Sequence, residues 1–363
     1  MNAATAPRAD AAGDRLLVVD PAAHTIDDRR VDDLPGLLRA GDVVVVNDAA
    51  TLPASLLGRT AAGAAVELRL LGRPAAGGAW PVLAFGDGDW RTQTEDRPRP
   101  PALAVGDEVA FTGLVARVAR VSAESPRLLD VRFDRTGDRL LEAIYARGRP
   151  VQYAYLPEPR ALSAFQTPFA GRPWAAEMPS AGRVLTAARV CALRAADIQV
   201  RPLTHAAGPS STGDSALDAR LPLPEAYEIP AATAAAVQEA RARGGRVVAV
   251  GTTVVRALES AADDGRRDGG AGVARLRLGA AHRLAVVDAI LTGMHEPGSS
   301  HFDLLTAFAP ADVLERAYQA AEGAGYRAHE FGDSMLVCAA RPAGYDSAGP
   351  HTRMRPSWSA TAM

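Results

Sequence analysis

The chain is predicted to be an α/β protein: a mainly parallel sheet or open-barrel α/β domain into which a small β-barrel is inserted. Three observations carry that prediction. Short runs of β-branched apolar residues, followed by a turn and a helical pattern, recur early and late in the chain, and strands buried on both faces read this way. Between residues 54 and 135 the pattern changes to short alternating segments with hairpin spacing, which suits a small barrel or sandwich. The 363 residues, 48% hydrophobic and 23% charged, are enough to bury a sizeable core and to form about two domains.

In chain order, residues 1–14 are polar and alanine-rich and are expected to be a disordered lead. They lack the basic start and apolar stretch of a signal peptide. Residues 15–53 and 136–340 are assigned to the α/β domain. A strand is expected at 15–20, a short helix at 32–38, and a four-valine strand from Val43 to Val46. Asn47 and Asp48 follow it. They read either as an Asx turn or as a polar pair at the carboxyl end of a sheet strand, and the sequence leaves both open. The inserted barrel, 54–135, has six strand candidates at 54–59, 65–71, 80–85, 108–112, 114–121 and 128–133. Helical patterning returns at 140–147 and again at 181–196. A strand at 200–204 leads to His205 and a Gly/Pro/Ser-rich run at 206–213 that is expected to be mobile.

Residues 231–243 form an amphipathic helix pattern, and the most organised stretch comes next. Arg246 to Val250 reads as a buried strand and Gly251 as a tight turn. Thr252 and Thr253 carry hydroxyls suited to capping, and a helix begins with Val254, Ala257, Leu258 and Ala261 on one face. Such a junction leaves free backbone N–H groups at the mouth of a sheet, where open α/β proteins hold ligands. Arg256 reads most simply as half of a solvated pair with Glu259. Further strands are expected at 283–291 and 334–338, with a helix at 301–309 capped by Ser299 or Ser300. Residues 341–363 read as a flexible tail.

Composition excludes several classes. A net charge of −2 gives no global attraction to nucleic acid, although a local basic face remains open. No apolar run is long enough to span a membrane, and a cytoplasmic location is the expectation. Cys191 and Cys338 provide neither a disulfide framework nor metal-ligand spacing, so no metal site is expected. All 40 residues counted as Lys+Arg are arginines, so no lysine amine is present for Schiff-base chemistry. Dinucleotide, phosphate-loop and Gly-x-Ser-x-Gly signatures are absent.

The stretch Gly-Gly-Arg-Val-Val-Ala-Val-Gly-Thr-Thr-Val-Val-Arg-Ala-Leu-Glu-Ser at 244–260 resembles the S-adenosylmethionine:tRNA ribosyltransferase-isomerase family of queuosine biosynthesis. Other pieces follow in the family's order: Gly41-Asp42 through Asn47-Asp48, Gln166-Thr167, Tyr227-Glu228-Ile229-Pro230, Val287-Asp288-Ala289, His295 with Pro297, and Gly332-Asp333-Ser334-Met335-Leu336. The resemblance covers about residues 15–340. It implies an α/β domain with an inserted β-barrel. It also implies transfer and rearrangement of the ribosyl portion of S-adenosylmethionine onto an aminomethyl-deazaguanine in tRNA, with loss of adenine and methionine. No cofactor beyond S-adenosylmethionine as substrate is implied.

That chemistry needs a base for the acidic hydrogens beside the sulfonium and a proton donor or hydrogen bond for departing adenine. His205 and His295 are the candidate acid or base, with Asp48, Asp303 and Glu228 as candidate carboxylates. Gly251, Thr252, Thr253, Arg256 and Asn47 are candidates for holding the substrate. The family's histidine and phenylalanine after Pro-Thr-Ala-Gly are missing at Pro179-Ser180-Ala181-Gly182-Arg183, and its lysine is missing after Glu296-Pro297. Two alternatives therefore accompany the main reading: an S-adenosylmethionine-using paralogue with a small-molecule acceptor, and a non-catalytic binding protein.

Overall fold

The computed structural model describes residues 1–340; the tail expected at 341–363 lies outside them. Its centre is an open nine-stranded sheet in the order Gly270–Ala274, Glu225–Ile229, Gln199–His205, Val43–Asn47, Val247–Val250, Ala289–Gly293, Ser334–Cys338, Arg15–Asp20, Thr25–Arg30. The four strands from Gln199–His205 to Ala289–Gly293 are mutually parallel. Outside them, Glu225–Ile229 and Ser334–Cys338 run antiparallel to their inner neighbours.

The valine runs work because side chains alternate across a strand while both faces are covered. Val43, Val45, Val247 and Ala249 pack beneath the helices Ala231–Ala242, Thr252–Asp263 and Ala311–Gly323. Val44, Val46, Val248 and Val250 face the other way, against Leu34, Leu38, Val184 and Leu193. Each such buried side chain contributes about 1.5–3 kcal/mol, which fixes the strand ends carrying the site.

The inserted unit is a closed six-stranded barrel built from Ser55–Thr60, Ala65–Leu70, Trp80–Phe85, Glu108–Phe111, Leu114–Val121 and Leu128–Phe133. These are the six segments expected from alternation. Trp80 meets Phe133 edge-on at 6.3 Å inside it, and the Gly137–Arg147 helix adds Leu140, Ala143 and Ile144 to the same core. Gly58 is required there, because a Cβ would come within 2.7 Å of the Phe111 ring and 2.8 Å of the Ala110 carbonyl.

Several expectations are corrected. Residues 1–14 are not a disordered lead: Asn2–Ala3 pairs in parallel with Arg327–Ala328, Ala4 is buried, and Arg8 grips Asp333 through two hydrogen bonds of 2.8 Å. Polarity hid these contacts because they are made by backbone and charge. The strand expected at 283–291 shrinks to Ala289–Gly293, since the N–H groups of Ala285, Val286 and Val287 go to the Glu259 carboxylate instead of a ladder. The helix expected at 181–196 is a 3-10 turn, Ser180–Val184, and then a helix, Ala187–Ala195, capped by Thr186. The run at 206–213 is tied down: Ser210 donates from its N–H and hydroxyl to Glu177, and Thr212 bonds Asp218. Among the described residues no helix is long and apolar enough to cross a membrane.

Candidate active site

The parallel strands end together, with polar residues at or just beyond their ends. Val43–Asn47 ends in Asn47, Gln199–His205 ends in His205, Val247–Val250 runs into Gly251, and Ala289–Gly293 leads to His295. Ligands in open α/β sheets sit outside such carboxyl ends.

Gly251 makes the turn. Its φ of 91° and ψ of 157° are open to glycine but strained for other residues. It, rather than either threonine, is the N-cap, and no side chain caps the Thr252–Asp263 helix. The expected threonine caps are thus corrected. The first N–H groups of that helix have no intrahelical acceptor, and its positive dipole end faces the strand mouths. The Thr253 hydroxyl lies 3.3 Å from the Asn47 amide nitrogen instead.

Asn47 is both an Asx turn and a cross-strand tie. Its Oδ1 accepts from the Ala49 and His205 N–H groups at 3.0 and 2.9 Å, while Nδ2 donates to the His205 carbonyl at 2.9 Å. The two sequence readings of this residue were therefore compatible. Asp48 accepts from the Thr204 hydroxyl at 2.5 Å.

His205 is fully buried, and neither ring nitrogen has a hydrogen-bond partner. Glu225 Oε2 stands 3.6 Å from its Nε2. Burial, reinforced by the Arg256 charge, drives its pKa well below 6.5, so the ring is neutral at neutral pH. Arg256 is not a solvated partner of Glu259. It is buried, pairs with Glu225, and donates to the carbonyls of Leu223, Ala274 and Leu276. Burial lowers its pKa to about 10. With its donors committed in this way, Arg256 positions Glu225 and the two outer strands. Glu225, which also accepts from the Gly208 N–H, was not singled out from the sequence. A lone Glu opening a polar strand carries no local signal.

A second group adjoins the first. His295 bonds the Thr292 hydroxyl at 2.7 Å through Nε2, donates from its backbone N–H to the Tyr318 hydroxyl oxygen at 2.8 Å, and stacks on His301 at 4.9 Å. Burial holds the His295 pKa well below 6.5 and brings that of His301 to about 4, where the Arg256 charge also contributes. His329, at a φ of 68°, stacks on Tyr155 at 4.3 Å. Next to it, burial raises the Glu330 carboxyl to about 7, and its Oε2 has no partner. His301, His329 and Glu330 were also missed, since nothing in their local pattern marks them.

Two further carboxylates were expected at the site. Asp303 is exposed on the short Ser300–Leu305 helix. Glu228 is committed to an exposed bidentate pair with Arg172, which draws its pKa down.

A family model described as queuosine biosynthesis protein matches residues 1–337. The chain is 37% identical over 341 residues to the S-adenosylmethionine:tRNA ribosyltransferase-isomerase of Anaeromyxobacter dehalogenans strain 2CP-C, covering 92% of this chain and 95% of that one. It is 37% identical over 330 residues to the protein of the same name from Gloeobacter violaceus, covering 89% and 88%. Among solved structures it is similar to a crystal structure of S-adenosylmethionine tRNA ribosyltransferase from Thermotoga maritima. There the TM-score is 0.51 and the identity 25%, with coverage of 92% and 95%. Near-complete coverage of both partners at this identity places the chain in the queuosine biosynthesis protein family.

Proposed function

We propose that this chain is an S-adenosylmethionine-dependent tRNA ribosyltransferase-isomerase. It moves and rearranges the ribosyl portion of S-adenosylmethionine onto the aminomethyl-deazaguanine of a tRNA, releasing adenine and methionine. The observation that carries this reading is the 37% identity over 92% of the chain to a relative bearing that name. No observation favours the small-molecule acceptor or the non-catalytic alternative.

In this reading S-adenosylmethionine occupies the mouths of the parallel strands. The open N-terminus of the Thr252–Asp263 helix offers N–H groups to its polar or anionic atoms. Asn47 and the Thr253 hydroxyl supply further hydrogen bonds from the side. The sulfonium acidifies the adjacent C5′ hydrogens, and a neutral imidazole is the form that can accept one. His205 and His295 are both held in that form by burial. Asp48 offers a negative charge to the cationic sulfur. Adenine departs with a proton from a group still protonated near neutral pH, a condition the raised Glu330 carboxyl meets. A cytoplasmic setting goes with a tRNA acceptor.

The test is a product assay. The chain is incubated with S-adenosylmethionine, with and without tRNA bearing the deazaguanine base, and adenine and methionine are measured by chromatography. Tandem release that depends on the tRNA is expected. Release without any dependence on tRNA refutes the acceptor, and no release with tRNA present refutes the enzyme reading.

A further inference from the structure

A cavity of about 240 Å³ lies away from the strand mouths, between the barrel and the segment 149–160. Ser55, Glu67, Arg69, Trp90, Arg149 and Arg160 contribute to its lining. Its acidic groups are already neutralised. Glu67 accepts from Ser55 Oγ at 2.6 Å, from Arg69 Nε at 2.9 Å and from Arg97 Nη1 at 2.7 Å. Asp89, also in the lining, is paired with Arg91. Its basic groups are not used up. Arg69 is 95% buried at its side chain; its Nη1 makes no hydrogen bond, and its guanidinium lies over the Phe85 ring at 4.4 Å. Arg160 donates Nη2 to the Thr5 carbonyl at 2.9 Å, while its sealed Nε has no partner. The exposed Arg149 side chain makes no hydrogen bond or ion pair among the described residues.

Buried donors without acceptors are unfavourable, and three arginines around one cavity concentrate positive potential there. Glu177, whose charge Arg69 also feels, is half-buried, is engaged by Tyr153 and Ser210, and does not line the cavity. Guanidinium groups with an aromatic wall suit a phosphate and its attached sugar. The segment that lines the cavity also carries Tyr155 onto His329, beside the histidine cluster, and its Leu156 carbonyl accepts from Trp90 Nε1 at 3.3 Å. Barrel cavity and histidine cluster thus share one connecting loop.

We propose that this cavity holds a backbone phosphodiester of the tRNA, gripped by Arg149 and Arg160 with the buried Arg69 adding positive charge behind the wall, while the modified base sits at the strand mouths. The inference rests on the proposed tRNA reaction and adds a second contact point to it. The test is binding of a fluorescent anticodon stem-loop carrying the deazaguanine base, followed by anisotropy across a salt series. The wild type is compared with Arg149→Gln/Arg160→Gln and with Arg149→Lys, after matching melting temperatures. The double variant is expected to bind about 10-fold more weakly, with a salt slope shallower by about 1 to 2 and unchanged S-adenosylmethionine affinity. Arg149→Lys is expected to retain the slope. Equal affinity and slope in wild type and double variant overturn the cavity assignment alone. A wild-type chain that does not bind the stem-loop overturns the tRNA reading itself. Inorganic phosphate that raises the melting temperature of the wild type but not of the double variant, with stem-loop binding equal in both, assigns the cavity to a free anion and overturns the RNA assignment.

Discussion

Replacing Glu225 by alanine tests the centre of the candidate site. The Arg256 side chain is 4% exposed and that of Glu225 is 11% exposed, so the pair is largely shielded from water. Removing the carboxylate leaves the guanidinium facing three carbonyls and no counter-charge. Breaking a buried pair from one side costs about 3–5 kcal/mol. The Gly208 N–H also loses its acceptor, a cost of about 1 kcal/mol that overlaps with the first. Against a typical stability of about 5–15 kcal/mol this is severe. The double variant Glu225→Leu/Arg256→Met removes both charges and is expected to recover most of the loss, leaving about 2 kcal/mol or less. Urea denaturation followed by circular dichroism supplies the midpoints and slopes. A loss under about 1 kcal/mol for Glu225→Ala, or a double variant as unstable as the summed singles, would refute the view that this pair is a coupled, desolvated unit.

Gly251→Ala forces an L side chain into positive φ and places its Cβ 3.3 Å from the Ala181 Cβ. A loss of about 1–3 kcal/mol and a raised KM for S-adenosylmethionine are expected, and an unchanged melting temperature with unchanged KM counts against the turn's role. Alanine at His205 or His295 is expected to lower adenine release by about 10²–10⁴-fold, and unaltered turnover removes that residue from the mechanism. His301 has a folded pKa of about 4 against about 6.5 unfolded, so between those values the unfolded state holds more protons. Its contribution, at most about 3 kcal/mol, is complete above pH 6.5 and is lost as pH falls towards 4; His301→Asn should flatten that part of the urea-midpoint profile. Glu330 has the opposite sign: its folded pKa of about 7 exceeds the usual carboxyl value, so its effect on stability worsens as pH rises from about 4.5 to 7. Glu330→Gln should therefore gain stability relative to the wild type at pH 8 more than at pH 4, and a pH-independent difference would show that this carboxyl ionises normally.

Local signals made part of this protein legible. Barrel strands such as Glu108–Phe111, Leu114–Val121 and Leu128–Phe133 were readable because they alternate between an apolar and a more polar face, and the central strands because Val43–Asn47 and Val247–Val250 are apolar on both. The Gly251 turn was readable because only glycine suits its backbone. Asn47 and His205 could be singled out as polar residues at the ends of strands, and the structure sets them side by side. The outer strands Thr25–Arg30, Glu225–Ile229 and Gly270–Ala274 were not readable as strands, since one is polar and another is glycine-rich.

Contacts between distant segments could be decided only in three dimensions. The spacing of Arg256 and Glu259 suggested that they pair, but each is spent on a segment far away in the chain: Arg256 on Glu225, and Glu259 on the backbone of 285–287. The stacking of His295 on His301 and the unpartnered Oε2 of Glu330 likewise depend on what surrounds them. Periodicity and backbone preference are properties of neighbouring residues and are written into the order of the chain. Desolvation, charge pairing and the resulting pKa values depend on which distant groups share a low-dielectric space, and that is fixed only when the sheet and barrel close around them.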